Sequence, residues 1–446
     1  MLNKKHICYT VTITMKRIPF IIMSVLSVLM PVVSQAKGNK ELFDTILIPK
    51  DAIILSGDGQ KGVDLTDIIY HPIEAHFSDP KPPRFLFFDS EGKVAFGIGG
   101  FVKGTLLYDF DGSIDNGPNF STFNIPVPNN PAQKNQLFGT VNHSSIFLQM
   151  VGRTSKLGYF QVYILTQFVG DGNTGYGLKL KQAWASLGKI RLGLAPSTFV
   201  DPQASTPTID DFGPIGETTS KAILLQYRPQ FNAHWSGAIS AEIPTATYSV
   251  DPKYNEVINQ RVPDIPVYLQ YQWAGGKSHV RLTGLFRDLS YRDVIANKNK
   301  FARGWAVEAS GLIDIANIFT VFYQGAYGRG FGRYINDLSG NGFDLVADGT
   351  SGLMKAPRTL NYELGLRVNL TSKAFLAGSY SQARVFDWQG FGNDGYKYGQ
   401  YISATFFYYI LPSLEFGAEY LHGVRHDFDG QSGHANRLNA MLKFNF

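Results

Sequence analysis

From residue 93 to the carboxyl terminus the chain alternates apolar and polar positions with a period of two rather than 3.6. Val280, Leu282, Gly284 and Phe286 share one face, while His279, Arg281, Thr283, Leu285 and Arg287 share the other. Tyr362, Leu364, Leu366 and Val368 alternate with Asn361, Glu363, Gly365, Arg367 and Asn369. At the end of the chain Leu438, Ala440, Leu442, Phe444 and Phe446 alternate with Arg437, Asn439, Met441, Lys443 and Asn445. Successive side chains of a strand point to opposite faces, so each segment is a strand with one greasy and one polar face. A soluble β-sandwich has such strands too, but two features separate the alternatives. The segments run about ten residues, enough to cross a bilayer at a tilt, whereas soluble strands average about five or six. Aromatic residues collect near strand ends, at Tyr227, Trp273, Trp305, Tyr327 and the run Phe406-Phe407-Tyr408-Tyr409. Interfacial girdles of a transmembrane barrel have that distribution.

The connections alternate in length. Short ones fall at 153–156, 187–189, 229–234, 274–277, 314–317, 371–373 and 411–413. Long ones fall between them, at 111–136, 169–177, 195–217, 244–265, 288–300, 329–357, 385–398 and 426–434. Seven short turns and eight long loops join sixteen strands, with both ends of the barrel on the short-turn side. The expected fold class is therefore all-β, a closed antiparallel transmembrane barrel of about sixteen strands with short periplasmic turns and long outer loops. Closure is required because an open edge in lipid would leave backbone groups unpaired. The longest loop, 329–357, is expected to be the most accessible to protease from outside.

Composition agrees. Aromatics are 14% of the 446 residues and charged residues 17%, against a usual charged share of about 25%. That balance excludes a disordered chain. No stretch after residue 36 approaches the roughly 18 apolar residues of a transmembrane helix. Lys16 and Arg17, the apolar run from Ile18 to Val33 and Ser34-Gln35-Ala36 have the layout of a cleaved export signal, 1–36, with Met15 the more natural start. Its removal takes away four bases and no acid, so the net charge falls from +5 to +1, 37 basic against 36 acidic residues. A nucleic-acid partner thereby loses its support. The single cysteine, Cys8, leaves with it. Residues 37–92 lack the alternation, and Asp79-Pro80-Lys81-Pro82-Pro83 separates them from the first strand. They form either a periplasmic extension or a partial plug, with a short helix between Leu65 and Phe77 limited by Pro72. The barrel then spans 93–446.

Several motif matches carry no chemistry. Gly170 to Gly175 and Gly390 to Gly395 both fit G-x-G-x-x-G, but they lie in loops with no helix to receive a pyrophosphate. Asp109-x-Asp111-Gly112 and Asp427-x-Asp429-Gly430 lack the remaining calcium-loop ligands and read as turns. His422 and His426 could share a metal but, at a strand end, read as interfacial polar residues, and the eight histidines of the mature chain show no zinc spacing. No G-x-S-x-G or other catalytic set is present, and neither cofactor nor metal is expected. The informative group is basic. Lys103, Lys179, Lys181, Arg191, Arg228, Arg281, Arg287 and Arg367 all fall on the parity opposite the lipid-facing residues, which in a barrel of this size lines a lumen. Lys103, Lys181, Arg191 and Arg281 lie about midway along their strands. The loop 195–217 carries Asp201, Asp210, Asp211 and Glu217. Folded inward, it would set acids against the basic wall and narrow the passage.

The chain resembles the DcaP-like porin family of Gram-negative outer membranes. Gly100-Phe101-Val102-Lys103 and Tyr108-Asp109-Phe110 are similar to that family's opening strand. Ser197-Thr198-Phe199-Val200-Asp201-Pro202 and Asp210-Asp211-Phe212-Gly213-Pro214-Ile215-Gly216 resemble the segment entering its constriction loop. Phe446 is similar to the terminal signal read by the barrel-assembly machinery. The resemblance covers roughly 93 to 446 and implies a homotrimeric outer-membrane diffusion porin. Its solutes would be small anions such as dicarboxylates, and lipid would surround it. The coiled coil that often opens family members is absent from 37–92. Two rival classes stay open. A FadL-type channel for hydrophobic compounds needs a greasy interior, and a barrel hydrolase needs catalytic residues near the rim. A TonB-dependent transporter, with about 22 strands and a plug, is excluded by length.

Overall fold

The computed structural model describes residues 53–56, 63–70, 75–112, 114, 117–169, 176–348, 351, 353–387, 392 and 394–446. The export signal and the first glycine motif lie outside the described residues, and the second motif lies partly outside them.

Sixteen antiparallel spans close into one barrel. They are β1 (Val94–Asp111), β2 in two pieces (Gln136–Thr140 and Ser145–Arg153), β3 (Tyr159–Phe168), β4 (Leu178–Leu187), β5 (Ile190–Pro196) and β6 (Lys221–Tyr227). Then follow β7 (Trp235–Glu242), β8 (Ile265–Trp273), β9 (Ser278–Asp293), β10 (Lys298–Ile315) and β11 (Phe319–Arg329). The last five are β12 (Arg358–Asn369), β13 (Ala374–Val385), β14 (Tyr396–Leu411), β15 (Leu414–Asp427) and β16 (Ser432–Asn445). Each pairs with the next, and β16 pairs back onto β1, with Lys443 opposite Lys103. The carboxyl-terminal Phe446 completes the seam through two backbone bonds with Gly100, at 3.0 and 3.1 Å. No free edge is left between the spans.

The alternation places the faces as expected. Leu282, Leu364 and Leu442 face outward and are exposed, while Arg281, Glu363 and Asn439 face inward and are buried. Aromatics ring both rims. Trp235, Tyr271 and Trp273 cluster at the short-turn end, with centroids 5.0 and 6.0 Å apart. Trp305, Tyr327 and Phe386 cluster at the other end, at 6.0 and 6.4 Å. The run 406–409 is split by the pleat, because Phe407 and Tyr409 turn inward.

Two connections and one motif differ from their sequence reading. The 288–300 loop is mostly strand, since β9 and β10 stay paired up to Asp293 and Lys298. Apolar alternation stops where the hairpin leaves the membrane, but ladder hydrogen bonding does not. The 329–357 loop is not an outer appendage. Phe331, Tyr334, Ile335 and Leu338 have no exposed surface and pack with Ile114, Phe120 and Ile125 of the first long loop and Phe199 and Ile215 of the third. Three loops thus build a hydrophobic core inside the outer half of the barrel. Asp337 anchors it, accepting hydrogen bonds from the Ser121, Thr122 and Tyr396 hydroxyls at 2.7, 2.5 and 2.7 Å. Finally, the turn reading of Asp109 gives way to a buried ion pair, because Asp109 takes both Nε and Nη2 of Arg437, at 2.5 and 2.9 Å.

Ahead of the barrel, helix α1 (Val63–Tyr70) ends before Pro72. Its Leu65 and Ile69 pack on Ala95 and Val151 at the short-turn end of β1 and β2. A short strand, Phe85–Phe88, pairs with the start of β1.

Candidate functional site

The loop between β5 and β6 leaves the wall and runs through the lumen, held along its whole length. Inward-facing carboxylates and amides of the wall bind its backbone. Glu242 takes the Thr198 N–H at 2.8 Å, Glu363 that of Thr206 at 2.8 Å, and Glu419 those of Ile209 and Asp210 at 2.8 and 2.9 Å. Gln324 takes the Thr218 N–H at 2.7 Å. At Gly365 the loop touches the wall so closely that a Cβ would sit 1.8 Å from Thr206 Oγ1. These wall acids were missed in the sequence, although each stands on the inward parity.

Wall bases bind the loop's acids and carbonyls. Arg281 donates to Val200 O at 3.1 Å and to Gln270 Oε1 at 2.8 Å, lies 4.0 Å over the Tyr268 ring, and stands 3.8 Å from Asp201. Asp201 also bonds His279 Nε2 at 2.8 Å and Ser310 Oγ at 2.9 Å. Lys103 donates to Ile209 O at 2.8 Å and pairs with Asp211 at 2.7 Å. Lys103 and Lys443 stand directly opposite across the β1–β16 seam. Like charges there repel, and Asp211 sits where it relieves them. The wall breaks beside this point, between the two pieces of β2, where Ser144 Oγ accepts the Lys103 N–H at 3.0 Å and His143 adopts φ 68°.

The four loop acids divide into two kinds. Burial opposes ionisation of Asp201, but Arg281 and His279 outweigh it and hold the carboxyl well below the usual range. Burial likewise opposes ionisation of Asp211, and His143 and Lys103 bring it down. Burial, with Glu419 alongside, pushes Asp210 up to about 8. Burial and then Glu363 raise Glu217 well above the usual range, and the Ser205 hydroxyl donates to it. The first pair are engaged by bases, whereas burial beside another acid disfavours the charged form of the second pair.

Beside this packed loop a cavity of about 630 Å³ remains, lined among others by Lys181, Arg191, Arg228, Asp201, Asp211 and Glu217. Of the eight bases singled out by parity, the cavity gathers three, all from adjacent strands or the turn after them. Lys181 reaches it through a β-bulge, since Leu165 faces Gln182 while Thr166 faces Leu180. Arg191 lies 4.5 Å over Trp184. Lys103 and Arg281 are taken up by the loop, and Lys179 is exposed higher on β4. Arg367 sits near the short-turn rim, 4.0 Å over Phe375. Arg287 is sealed at the outer end between Asp264 at 3.1 Å and Asp344 at 2.5 Å, tying two long loops to β9. The sequence did not point to Lys221. It shares the outward parity of Ile223, yet at the first position of β6 it borders both this cavity and a second of about 380 Å³. Arg333 lines that second cavity, with Nη2 3.0 Å from Lys221 O. The resulting track of bases, Arg333, Lys221, Lys181, Arg191 and Arg228, descends one side of the lumen. Among the described residues no group of His, Cys, Asp and Glu is placed to hold a metal ion.

A closed barrel with apolar belts, aromatic rims and a charged lumen narrowed by an inward loop defines a channel-forming protein of the outer membrane. The chain belongs to the DcaP outer membrane protein family, whose model matches residues 90–446. The structure resembles the outer membrane channel DcaP of Acinetobacter baumannii, with a TM-score of 0.69 and 19% identity over 80% of this chain and 99% of that one. It also resembles, in fold alone, the anion-selective porin from Comamonas acidovorans (TM-score 0.51, 9% identity, 79% and 100% covered). The OmpF of Salmonella typhi in complex with daunomycin shows a similar likeness (TM-score 0.52, 13% identity, 79% and 98% covered). No curated protein matches the sequence. The protein is therefore an outer-membrane protein of this family with a porin-like barrel fold.

Proposed function

We propose that this protein is a diffusion porin that favours small anions, dicarboxylates among them. The observation that carries the reading is the mismatch of charge in the lumen. Lys181, Lys221, Arg191 and Arg228 face the cavity, while two of the loop's acids are engaged by Lys103 and Arg281 outside that wall and burial beside another acid disfavours ionisation of the other two. A permeating ion therefore meets a cationic side and a loop with little net charge. Charges in a narrow, partly desolvated passage act more strongly than the same charges in water. Bases spaced along a track can hold two carboxylates at once, loosely enough to release them. Proteoliposome swelling tests the reading: succinate should enter faster than a neutral solute of its size, and a diamine slower. Equal rates for all three would refute it.

The assembly is proposed to be a homotrimer, on the strength of family membership and of the low wall at β5, β6 and β7, which run only 7, 7 and 8 residues. Cross-linking of intact outer membranes that traps only monomers would contradict this. Phe446, paired at the barrel seam, is proposed as the residue read by the barrel-assembly machinery. Loss of assembly in Phe446→Ala would support that role, and normal assembly would oppose it.

A further inference from the structure

The segment Ala75–Pro83 lies in the lumen on the short-turn side of the constriction, and its seat is built into the wall. Phe77 lies edge-on to Phe375 and Phe407, at 5.9 and 5.1 Å, on β13 and β14. Lys81 donates to Pro412 O at 3.3 Å, stands 3.9 Å from Glu415, and lies 4.5 Å over Tyr409. Two strands further round the same wall, past β16, Pro83 fits a groove made by two glycines of β1. A Cβ at Gly97 would lie 2.5 Å from Pro83 Cγ, and one at Gly99 would lie 2.9 Å from Pro83 Cα. Tyr70 at the end of α1 donates to Pro83 O at 3.0 Å. The segment is thus fastened to one arc of the wall, from β13 round to β1. From that seat His76, Ser78 and Asp79 form part of the lining of the 630 Å³ cavity, together with Lys181, Arg191 and Lys221 of β4, β5 and β6. Asp79 also caps its own turn, accepting the His76 N–H at 2.9 Å.

We infer that this segment is a tethered plug that closes off the base of the anion cavity and presents the Asp79 carboxylate to its basic wall in the place a carboxylate solute would take. The inference rests on the anion-porin reading above. The wall strands it rests on do not need this segment for their own ladder, since β16 already closes on β1. Its aromatic and proline contacts are instead those of a fitted insert. Asp79 and Lys221 line the same cavity. The plug therefore restricts passage in two separable ways, by cross-section through Phe77 and its neighbours and by competition through Asp79.

Single-channel recording in planar bilayers separates these effects. The wild type is compared with a chain that begins at residue 84 after its export signal, with Phe77→Asp, which places a charge against two rings, and with Asp79→Asn. Heat-modifiability on gels checks that each barrel is folded, and Phe77→Asp keeps the test open if the truncated chain fails to fold. The truncated chain and Phe77→Asp should both show roughly a twofold or larger rise in conductance, as expected when a constriction is relieved. Asp79→Asn should keep the wild-type step size, while succinate reduces its chloride current at a several-fold lower concentration. Steps of equal size in the wild type, the truncated chain and Phe77→Asp would overturn the plug and leave the porin reading standing. Silence from every folded variant would overturn the porin reading, and the plug with it.

Discussion

Replacing Arg281 with methionine should unfasten the constriction loop without unfolding the barrel. The substitution keeps the length of the side chain but removes the donors to Val200 O and Gln270, the stacking on Tyr268 and the charge 3.8 Å from Asp201. Asp201 would remain buried, with only His279 and Ser310 to satisfy it. Removing one partner of a buried ion pair costs about 3–5 kcal/mol, most of it the price of the stranded charge. His279 and Ser310 still bond Asp201, so the lower end, about 3 kcal/mol, is the working figure. Since 1.4 kcal/mol is tenfold, the ratio of unseated to seated loop should rise roughly a hundredfold. The cost falls on the loop because the β8–β9 and β9–β10 ladders that flank position 281 lose no backbone bond. The assay is open-channel current noise, with the heat-modifiability midpoint as the control for the barrel. Arg281→Met should be noisy with a near-normal midpoint, and Arg281→Met with Asp201→Asn should be quieter, because both members of the pair are gone. Wild-type noise in the single variant, or a double variant no quieter than the single, would refute the latch.

Two further outcomes follow from the same loop. The raised Asp210 carboxyl makes loop seating fully favourable below its ordinary range, and that contribution is lost as pH rises towards about 8, where the group ionises beside Glu419 and Asp211. Anion preference should therefore fall between about pH 6 and about pH 9 more steeply in the wild type than in Asp210→Asn; identical slopes would refute the assignment. Gly365→Val places a side chain where Thr206 Oγ1 lies 1.8 Å from the Cβ position, so the loop must withdraw, with larger and noisier conductance steps; unchanged steps in a folded barrel would show that the loop does not depend on that contact.

The barrel was legible in the chain because period-two alternation is a property of each strand alone. His279 to Arg287 show their faces without any knowledge of what they pair with. What parity does not carry is height in the membrane and the partner across the lumen. Arg191 and Arg287 share the inward parity, yet one borders the cavity and the other is sealed between Asp264 and Asp344. Those acids lie 23 and 57 residues away in sequence, and nothing local links them to Arg287. Lys221 was hidden for the opposite reason, since it sits at the first position of its strand and on the outward parity. The 329–357 loop looked like an outer appendage because its glycines and asparagines suit a turn-rich surface loop, while the burial of Phe331, Tyr334 and Leu338 depends on apolar residues from two other loops. Phe77 gave no signal because its ring partners, Phe375 and Phe407, lie near the other end of the chain.

The central claim is that the basic side of the cavity sets the preference for anions. Reversal potential in a KCl gradient tests it most directly, on the wild type and on one variant carrying Lys181→Gln, Arg191→Gln and Arg228→Gln, with folding checked by heat-modifiability. The account predicts a wild-type reversal potential on the chloride side of zero, and a clear shift towards the potassium side in the variant. A cation-preferring wild type, or a folded variant whose reversal potential matches the wild type, would contradict it.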